Sequence, residues 1–162
     1  MLYPASKEVL WIDELQNFVE EEQTVLEIGS GSGKGKQNKR YPKAAAIFGM
    51  DLDERVLDNP YLTSAKCISA YDISKELDGV TFDVIYSHMV AEHIDDAKKF
   101  LAIQLQKIKR DGVIFHSTVS RFYQASIIDD FVPVGVKSWL IAKLGSGRKS
   151  DDIFSAHYQL NS

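Results

Sequence analysis

The sequence predicts an α/β fold, a three-layer doubly wound sheet that is mostly parallel. Three observations point there. Short, nearly continuous apolar runs alternate with stretches of helical periodicity, the pattern of strands buried on both faces of a parallel sheet. A glycine-rich turn, Glu27-Ile28-Gly29-Ser30-Gly31-Ser32-Gly33, stands directly behind the first apolar run. Carboxylates follow the next two runs, at Asp51 and Asp72. In open parallel sheets ligands bind outside the carboxyl ends of the strands, so these residues fall where a ligand would sit.

The elements follow in chain order. Pro4 and Ser6 precede apolar residues at Val9, Ile12, Leu15 and Val19, which predict an amphipathic helix from Ser6 to Glu22. The first strand runs from Thr24 to Ile28, and a helix from Gly33 to Arg40 is stopped by Tyr41-Pro42. The second strand covers Ala45 to Met50, and a short acidic helix from Asp53 to Asp58 is broken by Asn59-Pro60. The third strand is Lys66 to Ser69, Asp78-Gly79 makes a turn, and the fourth strand is Phe82 to Tyr86. Asp95 or Asp96 caps a helix whose Ala97, Leu101, Leu105 and Ile108 share one face. Lys107, Lys109 and Arg110 suit the dipole of its last turn, Gly112 closes it, and Val113 to Ser117 forms the fifth strand.

Size and charge bound the function. A chain of 162 residues fits one domain that can bury about two-thirds of its unfolded surface. A net charge of −4 argues against broad nucleic-acid binding, so no nucleic-acid partner is expected. No apolar run approaches the roughly 20 residues of a membrane span, and the first residues lack the pattern of a signal peptide, so the cytoplasm is the expected compartment. Cys67 is the single cysteine, which excludes a disulfide within the chain; its apolar surroundings predict a buried structural thiol. The histidines show no H-x-x-x-H spacing, and no metal is expected.

Spacing narrows the ligand of the glycine turn. A dinucleotide fingerprint needs G-x-G-x-x-G, but the sixth position is Lys34 counted from Gly29 and Lys36 counted from Gly31. A Walker loop fails at both ends, with Ser30 in place of its first glycine and Gln37 after Lys36. Glu27 would repel a phosphate and attract a cation or an ammonium group. Asp51 lies 18 residues after Gly33, where an acid can accept from both ribose hydroxyls. Asp72 can accept from an exocyclic amine and Tyr71 can cover a purine face. Ser87-His88-Met89 ends the fourth strand. His88 is the best candidate to line the active site and act as catalytic base, His93 reads as a packing position, and His116 reads as a hydrogen-bonded core or rim residue. Lys34, Lys36, Lys39, Arg40 and Lys43 read as a solvated helix face.

From Thr24 to Thr118 the chain resembles the class I S-adenosylmethionine-dependent methyltransferases, in particular their small-molecule, methyltransferase type 11-like branch. The matching motifs are Glu27 to Gly33, Phe48-Gly49-Met50-Asp51-Leu52, Asp72, Phe82 to His88 with Ala91-Glu92-His93-Ile94, and Lys109-Arg110-Asp111-Gly112. The resemblance implies a Rossmann-like fold, S-adenosyl-L-methionine as cofactor, S-adenosyl-L-homocysteine as product and a small-molecule acceptor, such as a sugar or lipid precursor, with an O, N or C nucleophile. It implies a cofactor site built from Glu27, Gly29, Ser30, Gly31, Asp51, Leu52, Tyr71, Asp72, Ser87 and His88. Glu27 would lie near the ammonium of the methionine part, with the loop amides toward its carboxylate and Leu52 against the adenine.

The end of the chain departs from that family. Its members continue after the fifth strand with a helix and an antiparallel hairpin, and residues 119–162 contain no convincing pair of strands. The expectation is a single domain over residues 1–162, truncated or shortened, that lacks the hairpin and carries a substrate-covering segment at 119–162. Strand five would then lie near an open edge, which favours a homo-oligomer. Two functional classes stay open: a small-molecule methyltransferase, and a non-catalytic domain that binds the cofactor or a partner. A nicotinamide-dependent dehydrogenase is disfavoured by the failed fingerprint.

Overall fold

Each predicted strand is present in a computed structural model, which describes residues 7–34 and 43–118. The strands are β1 (Thr24–Ile28), β2 (Ala46–Asp51), β3 (Ser64–Cys67), β4 (Phe82–His88) and β5 (Ile108–Ser117). They form one parallel sheet of order β3-β2-β1-β4-β5. The chain winds outward from β1 to β3, then returns to place β4 on the other side of β1. That reversal makes the β1/β4 boundary the switch point, where a crevice opens at the carboxyl ends of the strands.

Side chains of adjacent residues alternate between two cores, as the pleat requires. Leu26, Ile28 and Ile85 join Ile73 of α2 (Ile73–Glu76), Leu77 at its C-cap, and Phe100 and Ile103 of α3 (Ala97–Lys107) on one face. Val25, Val84 and Tyr86 join Trp11, Ile12 and Leu15 of α1 (Lys7–Gln16) on the other. The result is the three-layer architecture anticipated from the alternating runs. Residues 54–58 form a 3-10 helix with Asp53 as its cap, matching the short acidic helix expected there.

Several boundaries differ from the sequence reading. The first helix ends at Gln16 rather than Glu22, since residues 17–18 form a turn and 19–23 no helix. β3 ends at Cys67, and Ile68 to Ala70 leave the sheet to line the cleft described below. Cys67 is exposed, because an outer strand offers its side chain no second neighbour. In α3 the buried face is Phe100, Ile103, Gln104 and Lys107, whereas Leu105 is 66% exposed. The large ring of Phe100 sets the rotation at i, i+3, i+4 and i+7, and the smaller Ala97/Leu101/Leu105 row loses. The Lys107 ammonium is accommodated by donating to the Leu77 carbonyl at 2.7 Å, at the end of α2. Asp96, not Asp95, caps α3 by accepting from the Lys99 amide at 2.9 Å.

The helix also stops at Lys107, so Lys109, Arg110 and Gly112 belong to β5. Ile108 pairs with Phe82 but Val113 with Val84, so extra residues bulge between them. A Cβ on Gly112 would lie 2.7 Å from the Asp83 carbonyl oxygen; glycine permits this close approach rather than a helix stop. The bulge lets Lys109 reach both oxygens of Asp83 at 2.9 and 2.8 Å, while Asp83 also accepts from the Thr24 amide at 2.8 Å. Burial pushes the Asp83 carboxyl up, but Lys109 and the Thr24 N–H outweigh it and hold it below the usual carboxylate range. The expected helix from Gly33 to Arg40, the missing hairpin, the 119–162 covering segment and His157 all fall wholly or mainly outside the described residues. Among the described residues no helix is long and apolar enough to cross a membrane.

His116 lies on the α3 face, where Ser87 Oγ and its Nδ1 are 2.8 Å apart and its ring meets Phe100 at 5.3 Å. Burial pushes its pKa down from 6.5 to about 4. Below pH 6.5 the unfolded chain takes up a proton at this residue that the folded chain refuses. Stability should therefore fall as pH drops from 6.5 toward 4, by at most about 1.4 kcal/mol per pH unit from this group. Urea denaturation of the unmodified chain and His116→Gln between pH 7.5 and 4 reads this out. The variant should show the shallower loss across that window.

Candidate cofactor cleft

The glycine loop is folded back over the tip of β2. The amides of Gly29 and Ser30 both donate to the Met50 carbonyl, at 2.7 and 3.1 Å. Gly29 has φ +78°, and a Cβ there would sit 2.2 Å from Val90 Cγ2. The loop after β4 thus packs directly on the loop after β1, and only a glycine leaves that space. Asp51 ties the arrangement together: its two carboxylate oxygens accept from the Gly31 amide at 2.8 Å and the Asp53 amide at 3.0 Å. Each oxygen retains a further lone pair for an outside donor.

Asn59 holds the same loop from below. It is 6% exposed, and its amide nitrogen donates to the carbonyls of Ser30 at 3.3 Å and Gly31 at 3.2 Å. Its side-chain oxygen accepts from the Tyr61 amide at 3.1 Å. In the sequence this residue reads only as part of an Asn-Pro helix breaker. The available signal was an amide-bearing residue at the end of the acidic helix; its partner could not be read without the packing of two loops.

A cleft of about 580 Å³ opens across the switch point. Gly29, Gly31 and Asp51 form its floor, Leu52 and Tyr71 stand at one side, and His88 to Ile94 supply much of the other wall. Five distinct sites of the sequence reading are therefore brought together: the loop glycines, Asp51, Leu52, Tyr71 and His88. Four predicted residues stand outside the lining. Glu27 is half-buried in β1 between Gly49 and Tyr86 in the register. Ser30 is buried, its hydroxyl donating to the Glu27 carbonyl at 3.0 Å. Ser87 is fully buried against His116 on the α3 face. Asp72 is exposed at the start of α2.

His88 faces the opposite way from Ser87, as alternation in β4 demands. Its ring stacks on Trp11 of α1, with centroids 4.1 Å apart and planes within 8°, and its Nδ1 is 3.3 Å from Ser117 Oγ. Beyond it the chain turns sharply. Met89 has φ +58°, a strained value for a non-glycine residue, and its amide donates to the Ser117 carbonyl at 2.8 Å. Glu92, only 3% exposed, lines the cleft and accepts from the Thr118 hydroxyl at 2.6 Å. His93 lines the cleft as well, a position that the packing expectation did not anticipate. At the far rim the Tyr71 hydroxyl donates to the Asp95 carboxylate and accepts from the Asp96 amide at 3.0 Å. Burial and the Asp95 bond both raise its pKa, so it remains a donor at neutral pH. Among the described residues no cluster of three or more His, Cys, Asp or Glu side chains is placed to hold a metal ion.

A parallel sheet of this order, with a glycine loop and an acidic strand tip beside the switch-point cleft, defines an α/β domain of the class that binds nucleotide-like ligands. Comparison with known proteins makes the class specific. Residues 6–145 match the family described as a methyltransferase domain, and the chain belongs to that family. It is 26% identical over 132 residues to the ubiquinone biosynthesis O-methyltransferase of Neisseria meningitidis, covering 71% of this chain and 55% of the relative. It is 29% identical over 127 residues to the enzyme of the same name from Rhizobium johnstonii, covering 72% of this chain and 49% of the relative. The chain thus spans about half the length of these curated relatives. Among solved structures, an S-adenosylmethionine-dependent methyltransferase from Clostridium acetobutylicum superposes with a TM-score of 0.59 at 17% identity, over 77% of this chain and 55% of that one. The N-methyltransferase NodS from Bradyrhizobium japonicum, solved with S-adenosyl-L-homocysteine, superposes with a TM-score of 0.54 at 16% identity, over 67% of this chain and 59% of that one.

Removing Asn59 should loosen the glycine loop without altering the cleft's own side chains. Asn59→Ala leaves two loop carbonyls and the Tyr61 amide without this partner. Chemical denaturation should report a loss of about 1–3 kcal/mol, the usual cost of buried polar groups left unpaired.

Proposed function

We propose that this chain is an S-adenosylmethionine-dependent methyltransferase domain that methylates a hydroxyl group of a small molecule. The observation that carries the reading is the joint placement of the Gly29–Gly31 backbone and the Asp51 carboxylate in one cleft, within a chain of the methyltransferase family. The residues present fit the cofactor. Gly31, at φ +55° with open space where a Cβ would stand, admits a close approach to its backbone, and a cleft of about 580 Å³ lies within the roughly 300–1,000 Å³ of small-molecule sites.

In this reading Asp51 accepts from the ribose hydroxyls with the lone pairs that the Gly31 and Asp53 amides leave open. Leu52 and Tyr71 flank the purine, and the glycine loop receives the methionine end, with Glu27 in the strand behind it. The cofactor supplies a methyl group already activated on a sulfonium. The chain's task is then to position the acceptor in line, exclude water and remove a proton. His88 is the group assigned to that proton, since it lines the cleft and its ring is oriented by Trp11 and Ser117. A hydroxyl acceptor is favoured because the relatives from Neisseria and Rhizobium are named O-methyltransferases, and an oxygen nucleophile is the kind that needs such a base.

Calorimetric titration with S-adenosyl-L-homocysteine tests the reading. The unmodified chain should bind with measurable heat, and Asp51→Ala should bind at least about tenfold more weakly, the loss of charge-assisted hydrogen bonds to ribose. Absence of both heat and a thermal shift in the unmodified chain would remove the cofactor assignment.

A further inference from the structure

The segment from Met89 to Asp96 walls one side of the cleft and is fastened at both ends. Its start is held by β5, through the Met89 amide to the Ser117 carbonyl at 2.8 Å and the Thr118 hydroxyl to Glu92 at 2.6 Å. Its far end meets the loop after β3 through Tyr71, whose hydroxyl donates to the Asp95 carboxylate and accepts the Asp96 amide at 3.0 Å. The β3 loop is itself braced, with the Tyr71 amide donating to Ser69 Oγ at 3.2 Å and the Asp72 amide to the Ser69 carbonyl at 2.9 Å. The adjacent acids divide the work: Asp96 caps α3, which leaves Asp95 to engage the tyrosine. Tyr71 lines the cleft and Asp95 does not.

We propose that Asp95 is a positioning residue for cofactor retention: through the Tyr71 hydroxyl it latches the segment after β4 onto the β3 loop and keeps the purine end of the cleft closed. The inference rests on the cofactor reading above and adds a residue that touches no ligand. With the latch made, the Tyr71 ring and the Ile94 side of the cleft are held at one spacing. With it broken, the segment keeps its β5 anchor, its buried Ile94 and its Asp96 cap on α3, but the Tyr71 ring loses its tie to it and can turn away, and bound ligand escapes there. The expected signature is faster release at nearly unchanged association, because the floor of the cleft is intact.

The experiment measures the rate at which bound S-adenosyl-L-homocysteine leaves, by chase with excess unlabelled ligand, alongside the melting temperature. Tyr71→Phe keeps the ring and removes the hydroxyl; Asp95→Ala removes the acceptor. Each should speed release by about five- to tenfold, the size expected for losing an ordinary hydrogen bond at an exposed site. The double variant should be no faster than Tyr71→Phe, because that change already breaks the bond to Asp95 together with the one from the Asp96 amide. Asp95→Asn keeps an acceptor oxygen and should restore release to within about twofold of the unmodified chain, a rescue that a purely structural loss would not show. Release at the unmodified rate in both single variants, or effects that add in the double variant, would overturn the latch while leaving the cofactor reading intact. Failure of the unmodified chain to bind at all would overturn both.

Discussion

The Asp51 carboxylate is the joint on which the cleft depends. It accepts the Gly31 amide from the loop after β1 and the Asp53 amide from the loop after β2, so one side chain fixes two adjacent strand ends relative to each other. The Met50 carbonyl, one residue earlier, accepts from Gly29 and Ser30. Together they force the glycine loop to bend across β2 instead of rising away from the sheet. An anion held by backbone amides is a stable arrangement, since charge-assisted bonds are the stronger ones. It also leaves the carboxylate aimed at the cleft with its remaining lone pairs outward, so the structural and the proposed binding roles do not compete.

The opposite wall obeys a packing constraint that starts at the same loop. Val90 occupies the space where a Gly29 side chain would be, and the chain reaches that position only by turning through Met89 at φ +58°. Such a conformation costs of order 1–3 kcal/mol and persists where its surroundings determine it. Here they do: the Met89 amide is committed to Ser117, and the next turn buries Ala91, Glu92 and Ile94. β5 therefore shapes the cleft from a distance, although none of its residues lines it. The α1 layer contributes in a similar way through Trp11, whose ring sets the plane of His88.

What was legible in the sequence was what local pattern determines. β1 spans the residues its apolar run marks, and the glycine loop and Asp51 stand where the strand ends place them. What was not legible depends on how separate segments meet. Asn59 is an unremarkable polar residue until the loop it clamps is folded beside it. Cys67 reads as buried from its neighbours along the chain, yet its strand lies on the outside of the described sheet. The face of α3 was misread for the same reason: periodicity identifies rows of apolar residues, and the volume of Phe100 against the sheet decides which row turns inward.

The pair Ser87 and His88 sharpens that distinction. Both were placed in the site because both end the fourth strand, but a strand sends consecutive side chains to opposite faces. β4 extends two residues beyond its obvious apolar run, to His88, so alternation still rules there. Ser87 goes to the α3 core with His116, and His88 goes toward α1 and the cleft. Two histidines close in space consequently live in different electrostatic surroundings. His116 is held neutral by burial, with its pKa down at about 4, which suits a core residue and disqualifies it as a base that must accept a proton. His88 lines the cleft with its ring stacked on Trp11. The register of a single strand, rather than the identity of the residues, selects which histidine faces the cleft.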